Sequence, residues 1–384
     1  MTRHPRQSLN EARVGFIVSH PFQFQTYRPL VRALPRSRVV IETRPDTPFA
    51  FSEAFLASLG CPHVSLPEHR LGRELDKAFD IVIGMTPKQL EHRFRHARTV
   101  AIQYGMAKEP YNYGLWRSGI DLNLMYGAYA HDIVSDHAVS RPVGNLRLDG
   151  HDAPGIGGGG LLYMPTYGEN ATLGRFVKLL PSLNPNVPIR IKVHHASEFT
   201  DAELLAELRR DPRVTILDGY HDALDDIAAA DVVLSDYSGA IFDAFFLDRP
   251  VVLFQPKDLP VDTKSHLSSI EIDRGHDFGE VLSSDAALIR FFDRLERGMT
   301  FPRPAAERQT YLSNYGAALP AALEALDGLL GGDIRPTPAQ LESRAYYRSL
   351  SDTDAGAGQA SGPFQRVTDR VIRALRDRLG SGRS

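Results

Sequence analysis

This chain has almost no cysteine and only a small net charge. Cys61 is the single cysteine among 384 residues, which excludes an internal disulfide framework and fits a reducing compartment. The formal net charge is only -3, so no overall positive field indicates a nucleic-acid partner. The composition, 42% hydrophobic and 24% charged, is that of a globular protein large enough for two domains.

Long apolar runs are also missing. No uninterrupted stretch approaches the roughly 20 residues that span a bilayer, and the start at Met1–Pro5 leads into no apolar signal-peptide core. We therefore expect a cytoplasmic protein, at most peripheral on the inner face of the cell membrane.

The sequence contains no metal-binding motif either. His92 and His96 have the i,i+4 spacing of one helix face, but Arg93, Arg95 and Arg98 surround them, and this favours a basic, solvated surface over a metal site. We expect neither a metal nor a cofactor.

Strands and helices alternate through the first 150 residues. Each short apolar run is followed by a segment with helical spacing, and Thr86-Pro87-Lys88-Gln89 has the pattern of a capped helix start. This alternation predicts a parallel, doubly wound sheet. The predicted strands are 14–18, 39–41, 80–84, 99–102 and 122–125.

A glycine run, Gly155–Gly160, interrupts this pattern. It precedes a strand, whereas a dinucleotide-binding fingerprint follows one and opens a helix, so we interpret residues 151–160 as a linker between domains. The alternation resumes over 161–333, which predicts a second doubly wound domain. Its predicted strands are 161–165, 189–193, 214–217, 232–235 and 251–254.

The tail, 334–384, has a different composition. Residues 351–362 are rich in Ser, Gly, Ala and Asp, and from Pro363 onward apolar residues fall near one helical face with arginines elsewhere. One interpretation is a helix that packs on the protein with its arginines in solvent. The other is contact with an anionic membrane surface that carries a lipid-linked acceptor.

The most informative stretch is 230–254, whose pattern is strand, polar turn, helix and strand. The turn contains Ser238, Gly239 and Ala240, so a hydroxyl group and backbone amides would face outward at the start of a helix, where phosphates bind. An ordinary strand-to-helix turn with a serine cap explains the same pattern.

Three motifs together resemble the CDP-glycerol glycerophosphotransferase family, which makes teichoic acids and capsules. Ser235-Asp236-Tyr237-Ser238, with Phe242-Asp243 and Asp248-Arg249-Pro250, resembles its C-terminal signature. Tyr163–Tyr167 resembles a Tyr-x-Pro-Thr-Trp motif, and Lys192-Val193-His194-His195 resembles Lys-Pro-His-Pro. The resemblance implies the GT-B architecture, two Rossmann-like α/β domains that face a cleft, with the donor nucleotide on the second.

The resemblance also implies roles for individual residues. His194 takes the place of the family's histidine and would donate to a phosphate or act as a base; a structural histidine at a strand end is the alternative. Asp236 would orient a donor or only hydrogen-bond its own turn. The implied donor and phosphate-binding residues are Thr166, Lys192, Ser235, Asp236, Ser238, Gly239 and Ala240.

The N-terminal half departs from the family. Gly105 matches a Trp-His-Gly-Thr-Pro motif, but Tyr104 stands where its histidine would be, and a phenol is a poor base at neutral pH. The base must then come from elsewhere, with His20 as the first candidate. Other candidates are Tyr104, Lys108 and Glu109, and Arg147 would face the cleft or pair with a carboxylate such as Asp149.

The resemblance implies transfer of glycerol phosphate, or a related polyol phosphate, from a CDP-alcohol to a hydroxyl of a glycan or lipid-linked acceptor, with release of CMP. The alternatives are a nucleotide-sugar glycosyltransferase, a UDP-sugar 2-epimerase-like enzyme and a non-catalytic nucleotide-binding relative.

Overall fold

A computed structural model describes residues 8–44, 51–92, 94–107, 109–151, 158–168, 170–217, 221–259 and 269–355. The chain divides into two compact units. Among the described residues, the first unit takes in 8–104, 110–150 and 309–355, and the second takes in 105–109 and 151–308.

The first unit is built on a parallel sheet of seven strands in the order β3-β2-β1-β4-β5-β6-β7. Three of its inner strands, β1, β4 and β6, are mainly apolar and are buried along their whole length, as expected for a sheet covered on both faces. The strands are β1 (Val14–Val18), β2 (Ser37–Thr43), β3 (His63–Pro67), β4 (Ile81–Gly84), β5 (Arg98–Ile102), β6 (Leu122–Met125) and β7 (Ser140–Pro142).

Six helices of this region cover the sheet. The longest begins at Pro21, whose fixed φ and missing N–H suit the first helical position. They are α1 (Pro21–Ala33), α2 (Glu53–Ser58), α3 (Leu71–Ala78), α4 (Pro87–Leu90), α5 (Glu109–Tyr113) and α6 (Ala128–Ser135).

The second unit has a six-stranded parallel sheet in the order β10-β9-β8-β11-β12-β13. Its core joins strand residues such as Tyr163 and Ile191 to helix residues such as Phe176 and Phe291. The strands are β8 (Leu161–Met164), β9 (Ile189–Lys192), β10 (Val214–Leu217), β11 (Val232–Ser235), β12 (Val251–Phe254) and β13 (Glu280–Leu282).

Eight helices lie between and after these strands. Several are single turns. Most of the buried helical side chains in this unit belong to α7, α9, α11 and α14. The eight are α7 (Leu173–Leu179), α8 (Ser197–Thr200), α9 (Ala202–Leu208), α10 (Leu224–Ala229), α11 (Ile241–Phe246), α12 (Ile270–Asp273), α13 (Gly275–Phe278) and α14 (Asp285–Glu296).

The chain then returns to the first unit through α15 (Arg308–Tyr311), α16 (Ala318–Gly331) and α17 (Pro338–Ala355). Ala322 and Leu326 of α16 are fully buried in the core that also contains β1 and α1. Residues 309–333, which the sequence analysis groups with the second domain, therefore belong with the first, because the apolar face of α16 is buried there.

The expected fold class, two doubly wound Rossmann-like α/β domains, is confirmed by the two parallel sheets with alternating helices. None of the helices described here is long and apolar enough to cross a bilayer. The basic helix expected after Pro363 lies outside the described residues, as do Lys108 and residues 152–157 of the linker.

Candidate donor site

The order of the second sheet reverses between β8 and β11. From β8 the chain moves outward to β9 and β10, and it then returns to place β11 on the other side of β8. In open α/β sheets, ligands bind beyond the carboxyl ends of the strands at such a point. Thr166 follows β8 and Asp236 follows β11, so two of the three sequence motifs flank this position.

Asp236 fixes the loop that follows β8. Its carboxylate is fully buried; one oxygen accepts from the backbone N–H of Thr166 at 2.8 Å, and the other accepts from the N–H and hydroxyl group of Thr172 at 3.0 and 2.9 Å. Burial raises the pKa of Asp236 to about 6, against the opposing effect of these hydrogen bonds. The side chain therefore holds Thr166 and Thr172 in place.

His194 brings the third motif to the same edge. Its ring stacks on that of Tyr167 with the ring centroids 4.1 Å apart, and the ring centroids of His194 and His195 are 4.0 Å apart. The backbone N–H of Ala196 donates to Nδ1 of His194 at 3.1 Å. A neutral His194 consequently carries its proton on Nε2 and acts there as a hydrogen-bond donor.

Ser238 and Gly239 form the turn after β11. The hydroxyl oxygen of Ser238 accepts from the backbone N–H of Ala240 at 3.2 Å, so this amide is already engaged, while the hydroxyl hydrogen remains available for donation. A Cβ on Gly239 would lie 3.3 Å from that of Ala107, in the 105–109 segment that groups with this unit. Gly105 belongs to the same segment.

Ser235 and Lys192 have partners within the protein. The hydroxyl group of Ser235 is fully buried and donates to the carbonyl oxygen of Met164 at 2.6 Å, which joins β11 to β8. The ammonium group of Lys192 donates to the carbonyl oxygen of Val193 at 3.2 Å. Both contacts support the edge of the sheet, and a ligand contact for either residue stays a prediction.

Two residues at this edge were missed by the sequence analysis as site residues. Tyr167, 43% exposed, presents an aromatic face next to His194; its place at the end of a strand-end motif was the available signal. The amide of Gln255, the first residue after β12, donates to the carbonyl oxygens of Asp236 and Glu271, both at 3.4 Å. Gln255 therefore links the turn after β11 to α12.

The first unit gathers its own candidates at the carboxyl edge of its sheet. His20 follows β1 and stacks on Phe22 at 5.6 Å, and Phe22 lies 5.8 Å from Tyr104, which follows β5. Burial, and secondarily the positive charge of Arg44, lowers the pKa of His20 to about 4. His20 is therefore neutral at pH 7, and Phe22 connects it by ring contacts to Tyr104, which is 38% exposed.

Asp149 and Arg147 also have hydrogen-bond partners within the first unit. Asp149 accepts from the backbone N–H groups of Ala318 and Leu319 at 2.9 and 2.6 Å, so it caps α16. The backbone N–H of Arg147 donates to the side chain of Asn145 at 3.1 Å. Within the described ranges, no group of three or more His, Cys, Asp or Glu side chains is placed to hold a metal ion.

Residues 155–305 match the family model described as CDP-Glycerol:Poly(glycerophosphate) glycerophosphotransferase. The resemblance to the CDP-glycerol glycerophosphotransferase family is confirmed. The match covers the second unit almost entirely and includes all three motifs. No curated protein sequence matches the chain significantly.

Solved structures share the fold at low sequence identity. A variant of the wall teichoic acid polymerase TagF soaked with CDPG is 13% identical, with a TM-score of 0.53 over 84% of this chain and 88% of that chain. MnaA of S. aureus, solved with UDP, is 14% identical, with a TM-score of 0.56 over 83% and 97%.

The UDP-GlcNAc 2-epimerase of Methanocaldococcus jannaschii, in complex with UDP-GlcNAc and UDP, is 13% identical, with a TM-score of 0.54 over 82% of this chain and 99% of that chain. These similarities establish the two-domain fold, and at such identities they carry no activity with them.

Proposed function

We propose that this protein transfers glycerol phosphate from CDP-glycerol, or a closely related CDP-alcohol, to an acceptor hydroxyl group in the synthesis of a cell-envelope polymer. The observation that carries the proposal is the convergence of the three family motifs at one sheet edge. Thr166 is bound to Asp236, and Tyr167 is stacked on His194.

The donor's diphosphate would lie at the carboxyl ends of β8, β9 and β11. The hydroxyl group of Thr166 makes no hydrogen bond to other described residues, and that of Ser238 retains its hydrogen. Together with Nε2–H of His194, they supply fixed donors for phosphate oxygens, which is what phosphoryl transfer requires most. Asp236 adds no ligand contact, because its carboxylate already accepts three hydrogen bonds.

In the reaction, the acceptor oxygen attacks the phosphorus that bears the glycerol group. The bond from this phosphorus to the bridging oxygen breaks, and CMP leaves with that oxygen. His194 donates a hydrogen bond or a proton to the phosphate groups as charge develops on the leaving CMP. The acceptor's proton goes to a base, for which we propose the neutral His20 of the first unit, since Tyr104 occupies the place of the family's histidine.

The experiment is CMP release from CDP-glycerol under single-turnover conditions. We expect His194→Ala to lower the rate by roughly 10²–10⁴, the range for losing a proton-transfer group. His276→Ala is the matched control, because His276 is a histidine of the same unit whose side chain is 74% exposed. Unchanged turnover in His194→Ala would reject the assigned role.

A nucleotide-sugar enzyme is the second candidate, favoured by the UDP-GlcNAc 2-epimerase among the structural neighbours. Parallel incubations with UDP-GlcNAc separate the two activities. UDP release or epimerised sugar would replace the transferase proposal, and binding of CDP-glycerol without turnover would indicate a non-catalytic relative.

A further inference from the structure

The first unit contains a cavity of about 610 Å³ at the amino-terminal end of β5. Three parts of the described chain line it: residues 90–92 and 94–99 before and at the start of β5, residues 116 and 119–121 before β6, and residues 344, 347 and 348 of α17. Since β5 has five residues at about 3.3 Å each, the cavity lies roughly 16 Å from the carboxyl edge that holds Tyr104. It is therefore separate from the candidate residues described above.

Arginine dominates the lining. Arg344 is committed to the protein: it donates to the carbonyl oxygens of Ser118 and Ile120 at 2.9 and 2.7 Å and pairs with Asp121 at 3.2 Å. Three other arginines line the cavity and are exposed: Arg95, Arg98 and Arg348. They form no ion pair with the described residues. The lining contains two acidic residues, Asp121 and Glu91.

The walls are held in place without a ligand. The Asp76 carboxylate accepts from the backbone N–H groups of Arg95, His96 and Ala97 at 2.8, 2.8 and 2.9 Å. On the opposite side α17 packs so closely that a Cβ on Gly119 would lie 2.9 Å from the ring of Tyr347. The cationic groups therefore project from a preformed frame, which lowers the entropic cost of binding.

The charge of the lining favours an anionic ligand. Like charges repel one another, and an anion bound between them relieves that repulsion.

We propose that this cavity binds a phosphodiester-linked polyol chain, the kind of polyanion that the proposed transfer would extend. Guanidinium groups bind phosphate oxygens through two parallel hydrogen bonds, and three of them match a ligand with several phosphates better than a single ion. The inference rests on the proposed function, and the cavity would hold the chain away from the reacting hydroxyl group.

Trp116 makes the test local, because it is the chain's single tryptophan and it lines this cavity. We expect a glycerol-phosphate oligomer to change tryptophan fluorescence saturably, with an affinity that weakens as salt is added. The Arg95→Gln, Arg98→Gln, Arg348→Gln triple variant should bind at least tenfold more weakly. Arg32→Gln, which removes an exposed arginine of the same unit outside the cavity, should bind as the wild type does.

Several results would overturn the proposal: no change in fluorescence, equal affinity in the triple variant, or equal affinity for a DNA oligomer of the same charge. Binding to vesicles of anionic phospholipid but not to the oligomer would assign the cavity to a membrane instead. If the triple variant misfolds by circular dichroism, the three single variants replace it, each expected to weaken binding.

The failure of this proposal and that of the proposed function can be distinguished. CMP release to an added acceptor without a fluorescence response rejects the cavity and keeps the transferase. A response that depends on the three arginines, without CMP release from CDP-glycerol, keeps the cavity as a polyanion site and rejects the transferase.

Discussion

Two histidines differ in what each can do with a proton. Nδ1 of His194 accepts from the N–H of Ala196, so its neutral ring donates through Nε2. His20 has a pKa lowered to about 4, chiefly by burial, so its ring is neutral, the form that a base requires, throughout the physiological range. Both residues are candidates from the sequence, but their protonation states could not be predicted there, because these depend on burial and on one backbone contact.

The low pKa of His20 predicts the shape of the pH profile. If His20 is the base, kcat/KM should stay level with respect to this group from about pH 8 down to about pH 5 and fall only near its pKa of about 4. His20→Gln should lower the rate by roughly 10²–10⁴. An acid limb centred near pH 6.5 that disappears in His20→Gln would contradict the burial argument.

Asp236 carries a prediction about stability. Its folded pKa of about 6 lies above the ordinary value of 3.8 for an aspartate, so the folded state binds the proton more tightly than the unfolded state does. This contribution to stability is present below about pH 4 and is lost as the pH rises through 6, by about 3 kcal/mol at 1.36 kcal/mol per unit.

Asp236→Asn tests this prediction, because asparagine does not titrate. The NH₂ of its side-chain amide would point toward the N–H and hydroxyl donors of Thr172. The variant should be less stable than the wild type by roughly 1–3 kcal/mol for the lost hydrogen bonds. The gap in unfolding free energy between the two proteins should narrow from pH 4 to pH 7 in urea titrations. A gap that widens over this range would show that the hydrogen bonds outweigh burial.

At the level of elements, the apolar runs identified all the inner strands but only one of the four edge strands, β10. The ten strands predicted overlap β1, β2, β4, β5, β6 and β8–β12. The sequence analysis omitted β3, β7 and β13, which lie at or next to sheet edges. Residues of β3 and β13 are partly exposed, so no continuous apolar run marks them.

One close approach of the C-terminal segment to the first unit takes place at a glycine. Gly127 precedes α6, and a Cβ there would lie 2.4 Å from the backbone carbon of Tyr311 at the end of α15. The N–H of Ser313 also donates to the carbonyl oxygen of Tyr126 at 2.8 Å. Backbone meets backbone at this contact, so a larger residue cannot be accommodated by a rotamer change.

Gly127→Ala should therefore destabilise the first unit by roughly 1–3 kcal/mol or more, the cost of overpacking. Gly174→Ala, in α7, is the control. Its Cβ would lie 3.6 Å from Leu204 of α9, an ordinary contact distance, and alanine stabilises a helix by roughly 0.5–1 kcal/mol relative to glycine. Chemical unfolding of the full chain compares the two. Equal stability of Gly127→Ala and wild type would argue against this docking of residues 311–313.

For the whole molecule, sequence patterns predicted the two-domain fold but not where the chain crosses between the domains. The glycine run Gly155–Gly160 marks the first crossing in the sequence. The return crossing has no such mark, because the apolar pattern of α16 does not indicate which of the two cores it packs against. Only the burial of Ala322 and Leu326 in the first core shows that the second unit ends at Arg308.

Nucleotide preference is the property of the whole molecule that best separates the candidate functions. A ligand that binds only the folded protein stabilises it by about 2.7 kcal/mol at one hundred times its Kd. If residues 155–305, the part that matches the family model, hold the donor as proposed, CDP-glycerol and CMP should raise Tm clearly. UDP and UDP-GlcNAc should leave the Tm nearly unchanged.

Ser238→Ala should reduce the Tm shift caused by CDP-glycerol, because one hydrogen bond to a charged group is worth roughly 1.5–3 kcal/mol. Ser349→Ala, which changes an exposed serine of the first unit, should preserve that shift. A larger shift with UDP-GlcNAc than with CDP-glycerol would instead favour the nucleotide-sugar enzyme.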